Sequence, residues 1–178
     1  LEVPTDVFDF RKKIYGDVNE IPCSVDVIKT YDGGPWYAAA VKYYVTAFNY
    51  QMQESSIIGE SFMYYTSFQD RGCKDEEICY NSFRLTIHPS QYVKSNFSKI
   101  RVYRIMRRNN TAAWLGYVVG DYEISDECVV LDTNTSVEAC DINDILFKNG
   151  QDIIASTIAI KNNALFLGNI QNLSVDVN

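Results

Sequence analysis

One stretch of strict alternation constrains the fold more than anything else in the chain. Phe83, Leu85 and Ile87 alternate with Arg84, Thr86 and His88. A period of two sets one strand face against a core and the other toward water. The stretch from Trp36 to Phe48 repeats it: Tyr37, Ala39, Val41, Tyr43 and Val45 take the odd positions, with Lys42 and Thr46 among the even ones. Further strands are predicted over 57–68, 78–88, 99–107, 112–119, 123–131, 153–160 and 164–167. In 99–107 the apolar parity changes between Val102 and Tyr103, which predicts a bulge or bend. One short helix is predicted from Asp141, its N-cap, to Asn149, with Gly150 as the stop. About eight strands, turn signals between them and little helix predict an all-β fold, an antiparallel barrel or a two-sheet sandwich. Pro4, Pro22, Pro35 and Asp32-Gly33-Gly34 predict an irregular lead-in over 1–34. No repeat or linker interrupts the chain, so its 178 residues read as a single domain.

The formal net charge of −7 argues against a nucleic-acid partner, which requires an excess of Lys and Arg. No run approaches the ~18 apolar residues of a membrane span. No Gly-rich phosphate loop is present. From Glu123 onward nine acids face two basic residues, Lys148 and Lys161, which reads as a solvated acidic face. The reverse bias lies at Lys99, Arg101, Arg104, Arg107 and Arg108. That cluster reads as an outward strand face whose charges resist edge pairing, with an anion site as the alternative.

Nothing in the sequence assembles a catalytic centre. His88 is the one imidazole, at a strand end before Pro89. Asp75-Glu76-Glu77 reads as a solvated turn between two cysteines. The chain is expected to bind rather than to turn over substrate, and to need no cofactor. No metal is expected: the Cys73–Cys79 spacing is too wide for a zinc knuckle.

Five cysteines (Cys23, Cys73, Cys79, Cys128, Cys140) and four Asn-x-Ser/Thr sequons (Asn96, Asn109, Asn134, Asn172) predict a secreted, glycosylated, disulfide-bonded protein. Cys73 with Cys79 would staple a hairpin turn. Cys128 would pair with Cys140 or with Cys23. The odd thiol is left unpaired or bonded to a second chain as a homodimer. A start at Leu1 without a leader reads as a mature chain, or a form made without its signal peptide.

Gly34-Pro35-Trp36-Tyr37, after Cys23 and Val27–Asp32, resembles the Gly-x-Trp-Tyr motif that opens the barrel of lipocalins. Val118-Val119-Gly120-Asp121-Tyr122, followed by Cys128, is similar to that family's Thr-Asp-Tyr motif, with Gly120 where Thr is usual. The family also packs an Arg from near the last strand on the Trp, whereas the last Arg here is Arg108. The resemblance implies an eight-stranded up-and-down barrel with Trp36 closing its floor. Tyr37, Val41, Tyr43, Phe83, Leu85, Tyr103 and Tyr117 would then line a cavity for a small hydrophobic ligand, such as a lipid, tetrapyrrole or carotenoid. A second resemblance rests on Trp36-Tyr37, Asn49-Tyr50, Ile57-Ile58-Gly59-Glu60, Met63 and Asp70-Arg71. These look like the N-terminal half of secreted poxviral immune-evasion β-sandwiches, in which a Cys stands at the place of Ser61. That alternative implies a surface that captures a host chemokine, cytokine or receptor.

Overall fold

The structure is a computed structural model. It describes residues 23–68, 73–74, 76–135 and 137–147, and the backbone of 153–161 and 164–172. The lead-in before Cys23, Asp70, Arg71, Asp75 and the helix end at Gly150 lie outside the described residues.

The fold is all-β, with two short helices among the described residues. Strand β1 (Cys23–Tyr37) pairs antiparallel with β5 (Ile78–Pro89), and β5 with β8 (Cys128–Asp132). These form a three-stranded sheet. A six-stranded sheet is built on β2 (Ala40–Asn49), with β6 (Phe97–Arg107), β7 (Leu115–Glu123) and β9 (Glu138–Cys140) following in order. Two-residue strands β3 (Gly59–Glu60) and β4 (Tyr64–Tyr65) line the far edge of β2. Helix α1 (Gln91–Asn96) links β5 to β6, and α2 (Ile142–Phe147) follows β9. Strands β10 (Ile153–Lys161) and β11 (Ala164–Asn172) form a hairpin of their own.

Both sheets contribute to one core. Trp36, Val41, Tyr43, Val45, Phe83, Leu85, Ile87, Ile100 and Val102 are fully buried in it. The ring of Phe83 is its hub. Trp36 and Tyr64 meet Phe83 edge-on at 5.2 and 6.2 Å, and Tyr43 lies tilted against it at 6.0 Å. Edge-to-face contacts of this kind add about 0.5–1.5 kcal/mol each to the burial itself. A second cluster (Tyr44, Tyr103, Ile105, Ile145) covers the opposite face of the six-stranded sheet. Ile145 brings α2 onto that face.

Among the described residues, no ladder joins the two sheets into a ring, so the expected barrel is replaced by its alternative, a two-sheet arrangement. The seam beside β1 is closed by a side chain instead. Lys29 Nζ donates to the carbonyls of Tyr65 at 2.8 Å and Ser67 at 2.6 Å.

Several elements differ from expectation. The supposed irregular stretch before residue 34 is strand from Cys23 onward, because Val25 and Val27 alternate with Ser24 and Asp26 against β5. Trp36 and Tyr37 end β1 rather than open the next strand. A register shift between Thr30 and Gly34 lets the chain bulge there, and Gly33 at φ 153° supplies the backbone freedom this requires. The expected strand over 57–68 is reduced to β3 and β4. The register shift predicted at Val102/Tyr103 is present between β6 and β7, but the extra residue is Val119 on β7. The parity of β6 itself never changes. Ile100, Val102, Arg104 and Met106 face the main core, and Tyr103 and Ile105 belong to the second cluster. Asp141 does cap α2, its Oδ1 accepting from the Asn143 amide at 2.9 Å.

Candidate functional site

The most distinctive chemistry is an ion pair sealed between the sheets. Arg104 is 0% exposed and Asp132 is 2% exposed. The alternation of β6 carries Arg104 inward between Val102 and Met106, and the alternation of β8 carries Asp132 inward after Cys128 and Val130. Arg104 Nη1 donates to both Asp132 oxygens, at 3.0 and 2.8 Å, and Nη2 donates to Asn134 Oδ1 at 2.7 Å. Tyr43 Oη donates to Asp132 Oδ2 at 2.9 Å. The guanidinium lies between two rings, 4.6 Å from Trp36 and 4.7 Å from Tyr117. Its Nε is buried without a partner.

The turn after β8 completes the frame. Asn134, at φ 62°, donates its amide to Asp132 Oδ1 at 2.9 Å and its Nδ2 to the Pro35 carbonyl at 2.9 Å. Trp36 Nε1 donates to the Asn81 carbonyl at 3.0 Å. Charges on β6 and β8, a hydroxyl on β2 and rings on β1 and β7 thus tie five strands across the core. Such a brace fixes relative position; every charge in it is met from within the protein, and it presents no nucleophile to solvent.

Burial, then the charge of Asp132, pushes the Tyr43 phenol well above its ordinary value, with Arg104 opposing. Tyr103 is also raised, by burial and then by its 2.6 Å bond to Glu54 Oε1. A raised folded value contributes stability that is complete below the ~10 at which unfolded tyrosines ionise, and lost as pH climbs through the folded value. In an alkaline titration followed by phenolate absorbance and circular dichroism, Tyr43 is therefore expected to ionise only as the fold is lost. In Tyr43→Phe that late component disappears, at a stability cost of about 1.5–3 kcal/mol for a bond to a charged acceptor.

The predicted cavity residues do not share one interior. Val41, Tyr43, Phe83 and Leu85 fill the main core. Tyr103 is buried in the second cluster, across the sheet from them. Tyr117 packs against the core edge beneath Arg104. Tyr37 is 47% exposed, with Arg108 4.4 Å above its ring. Trp36 is a wall of the brace. An Arg does pack on it, but from the middle of β6, where no spacing motif pointed.

The basic cluster is dispersed. Arg104 is internal, Arg101 forks onto Asp121 at 2.5 and 2.8 Å, and Arg107 stacks on Trp114. Strand β6 lies inside the six-stranded sheet, so its charges guard no edge. His88 sits 3.9 Å from Asp26 on an exposed face. Among the described residues, no group of three or more His, Cys, Asp or Glu could hold a metal. An open groove of about 520 Å³ runs along one end of the molecule, lined by Tyr50, Lys94, Phe97, Ser98, Ile124, Ser125 and Asp126.

Asp132 escaped sequence reasoning, and Asn134 was read there only as a glycosylation site. The available signal was a charge in each inward register: Arg104 within Ile100-x-Val102-x-x-x-Met106, and Asp132 closing Cys128-x-Val130. Two opposite charges in two apolar registers point to each other.

The family model for the crassvirus muzzle protein matches residues 3–178. This chain belongs to the crassvirus muzzle protein family. It is 30% identical over 164 residues to the muzzle protein of Bacteroides phage crAss001, an alignment covering 92% of this chain and 11% of that protein. The chain thus spans about a tenth of the length of its curated relative.

Membership in the muzzle family corrects the functional expectations. The family and the relative are both named as phage muzzle proteins. The lipocalin and poxviral resemblances, which rested on short aromatic motifs, are overturned. So are the secreted location, the hydrophobic-ligand carrier and the host immune-protein decoy. Gly34-Pro35-Trp36-Tyr37 resembles a barrel opening because it too puts a Trp at the base of a core, yet here it closes β1. The glycoprotein expectation falls with the secretory route, and three of the four sequon side chains are used otherwise. Asn134 holds the brace, Asn96 Nδ2 donates to the Tyr92 carbonyl at 2.9 Å, and Asn109 Oδ1 accepts from the Thr111 and Ala112 amides. Asn172 ends β11.

Proposed function

We propose that this chain is a structural module of a phage particle, acting by holding its shape and presenting surfaces to neighbouring virion proteins. The carrying observation is the muzzle-family match along 3–178. The cross-braced core supports it, since a rigid interior suits a part whose task is to stay in place. The outer face of the three-stranded sheet supports it as well. Ile28, Val129 and Leu131 lie exposed there beside Arg84 and Thr86, a mixed surface of the kind that assemblies bury. A role without turnover and without a cofactor belongs to the same reading. It is supported by the mutual neutralisation of Arg104 and Asp132.

The test uses particles of the phage that encodes the chain. Peptides from this segment are expected in gradient-purified virions by mass spectrometry. An antibody raised against the chain is expected to decorate those virions in electron micrographs. Peptides confined to particle-free lysate, with undecorated virions, would overturn the proposal.

A further inference from the structure

We infer that Cys73 and Cys79 form a redox-controlled staple, a covalent modification site in which Cys73 receives the oxidant and Cys79 closes the bond. The two sulfurs stand 2.9 Å apart with both residues as thiols. A disulfide is only about 0.9 Å shorter, so bond formation needs little backbone movement. Described residues between them are already bonded to one another. The Glu77 amide donates to the Lys74 carbonyl at 3.0 Å, and Cys73 Sγ contacts the carbonyls of Lys74 and Glu77 at 3.4 and 3.5 Å.

The two thiols are unequal in a useful way. Cys73 is partly exposed, whereas Cys79 is fully buried opposite Trp36 in the β1–β5 ladder. The buried cysteines compete poorly. Cys23 is buried away from a soluble disulfide, whereas Cys73, though its thiol is likewise pushed up to about 12 by burial and its bond to Cys79, is partly exposed. Cys128 is buried too, within a nest of contacts from Ser125.

A low-molecular-weight disulfide, RSSR, serves as oxidant. The Cys73 thiolate attacks one of its sulfurs and expels RS⁻, leaving a mixed disulfide. The Cys79 thiolate then attacks the Cys73 sulfur and expels the second RS⁻. Two protein thiols are oxidised, one RSSR is reduced to two RSH, and the two thiol protons end on the two RSH. A virion protein is made inside a reducing cell and works outside it, so the staple would close after release. This goes beyond the structural role proposed above; the timing of closure rests on that role, whereas the staple itself does not.

The experiment takes the reduced full chain, incubates it with oxidised glutathione under native conditions, then denatures and alkylates it. Alkylatable thiols are expected to fall from five to three, with the bond mapped to Cys73–Cys79. The thermal midpoint is expected to rise by about 5 °C, as a short closed loop predicts. Cys79→Ser is expected to trap glutathione on Cys73, and Cys73→Ser to take up none. Cys140→Ser is expected to staple like the parent. Five alkylatable thiols after oxidation, or a bond mapped to Cys23–Cys128 or between chains, would overturn the inference.

Discussion

Asp132→Ala is expected to cost about 3–5 kcal/mol of folding stability, because it strands the Arg104 charge inside the core. Asp132→Asn keeps the shape and should fare little better, since the loss is of countercharge. Chemical denaturation monitored by tryptophan fluorescence reads both, as Trp36 lies on the guanidinium. The double replacement Arg104→Met with Asp132→Leu separates the two contributions. It removes both charges at similar volume and is expected to recover most of the loss. If the double variant is as unstable as Asp132→Ala, the pair and its hydrogen bonds are themselves net stabilising. If Asp132→Ala is within 1 kcal/mol of the parent, the buried pair does not brace the core.

Gly34→Ala is the second large effect. A Cβ at Gly34 would stand 1.5 Å from the Thr133 carbonyl oxygen and 2.6 Å from its carbon. Both are backbone atoms of the turn that holds Asn134 against Pro35. Neither can yield without pulling the brace apart, so the cost should exceed the about 1–3 kcal/mol usual for overpacking. The expected outcome is loss of soluble folded protein or a steeply lowered thermal midpoint. Gly120→Ala is the control. Its Cβ would meet the ring and hydroxyl of Tyr122, the far end of a side chain that can turn aside, so the midpoint should fall much less.

The strands were legible where alternation was clean. Phe83, Leu85 and Ile87 point inward as their period demands. Legibility failed where both faces of a strand are covered. Tyr44, Tyr103 and Ile105 are apolar on the side that a two-layer fold would leave wet, because α2 and the loop after β2 pack there. That second covering made the parity of β6 look broken. The segment 57–68 is rich enough in apolar and aromatic residues to suggest one strand. Its amides instead bond β2 and the residue before it at separated points, Ile58 to Val45, Ser61 to Tyr43 and Thr66 to Ala39. The brace was only half legible. A lone inward Arg announces an acid, but its partner lies 28 residues downstream on the other sheet. Aromatic motifs of three or four residues carried too little information to choose a family, since many folds place a Trp at the base of a core.

The closure beside β1 has a mechanical consequence. A ladder under shear gives way when many bonds break together, whereas one ammonium with two acceptors yields in a single event. Tension that opens this seam would therefore rupture the Lys29 contacts in one event, leaving the strand pairings whole and able to re-engage when the pull ends.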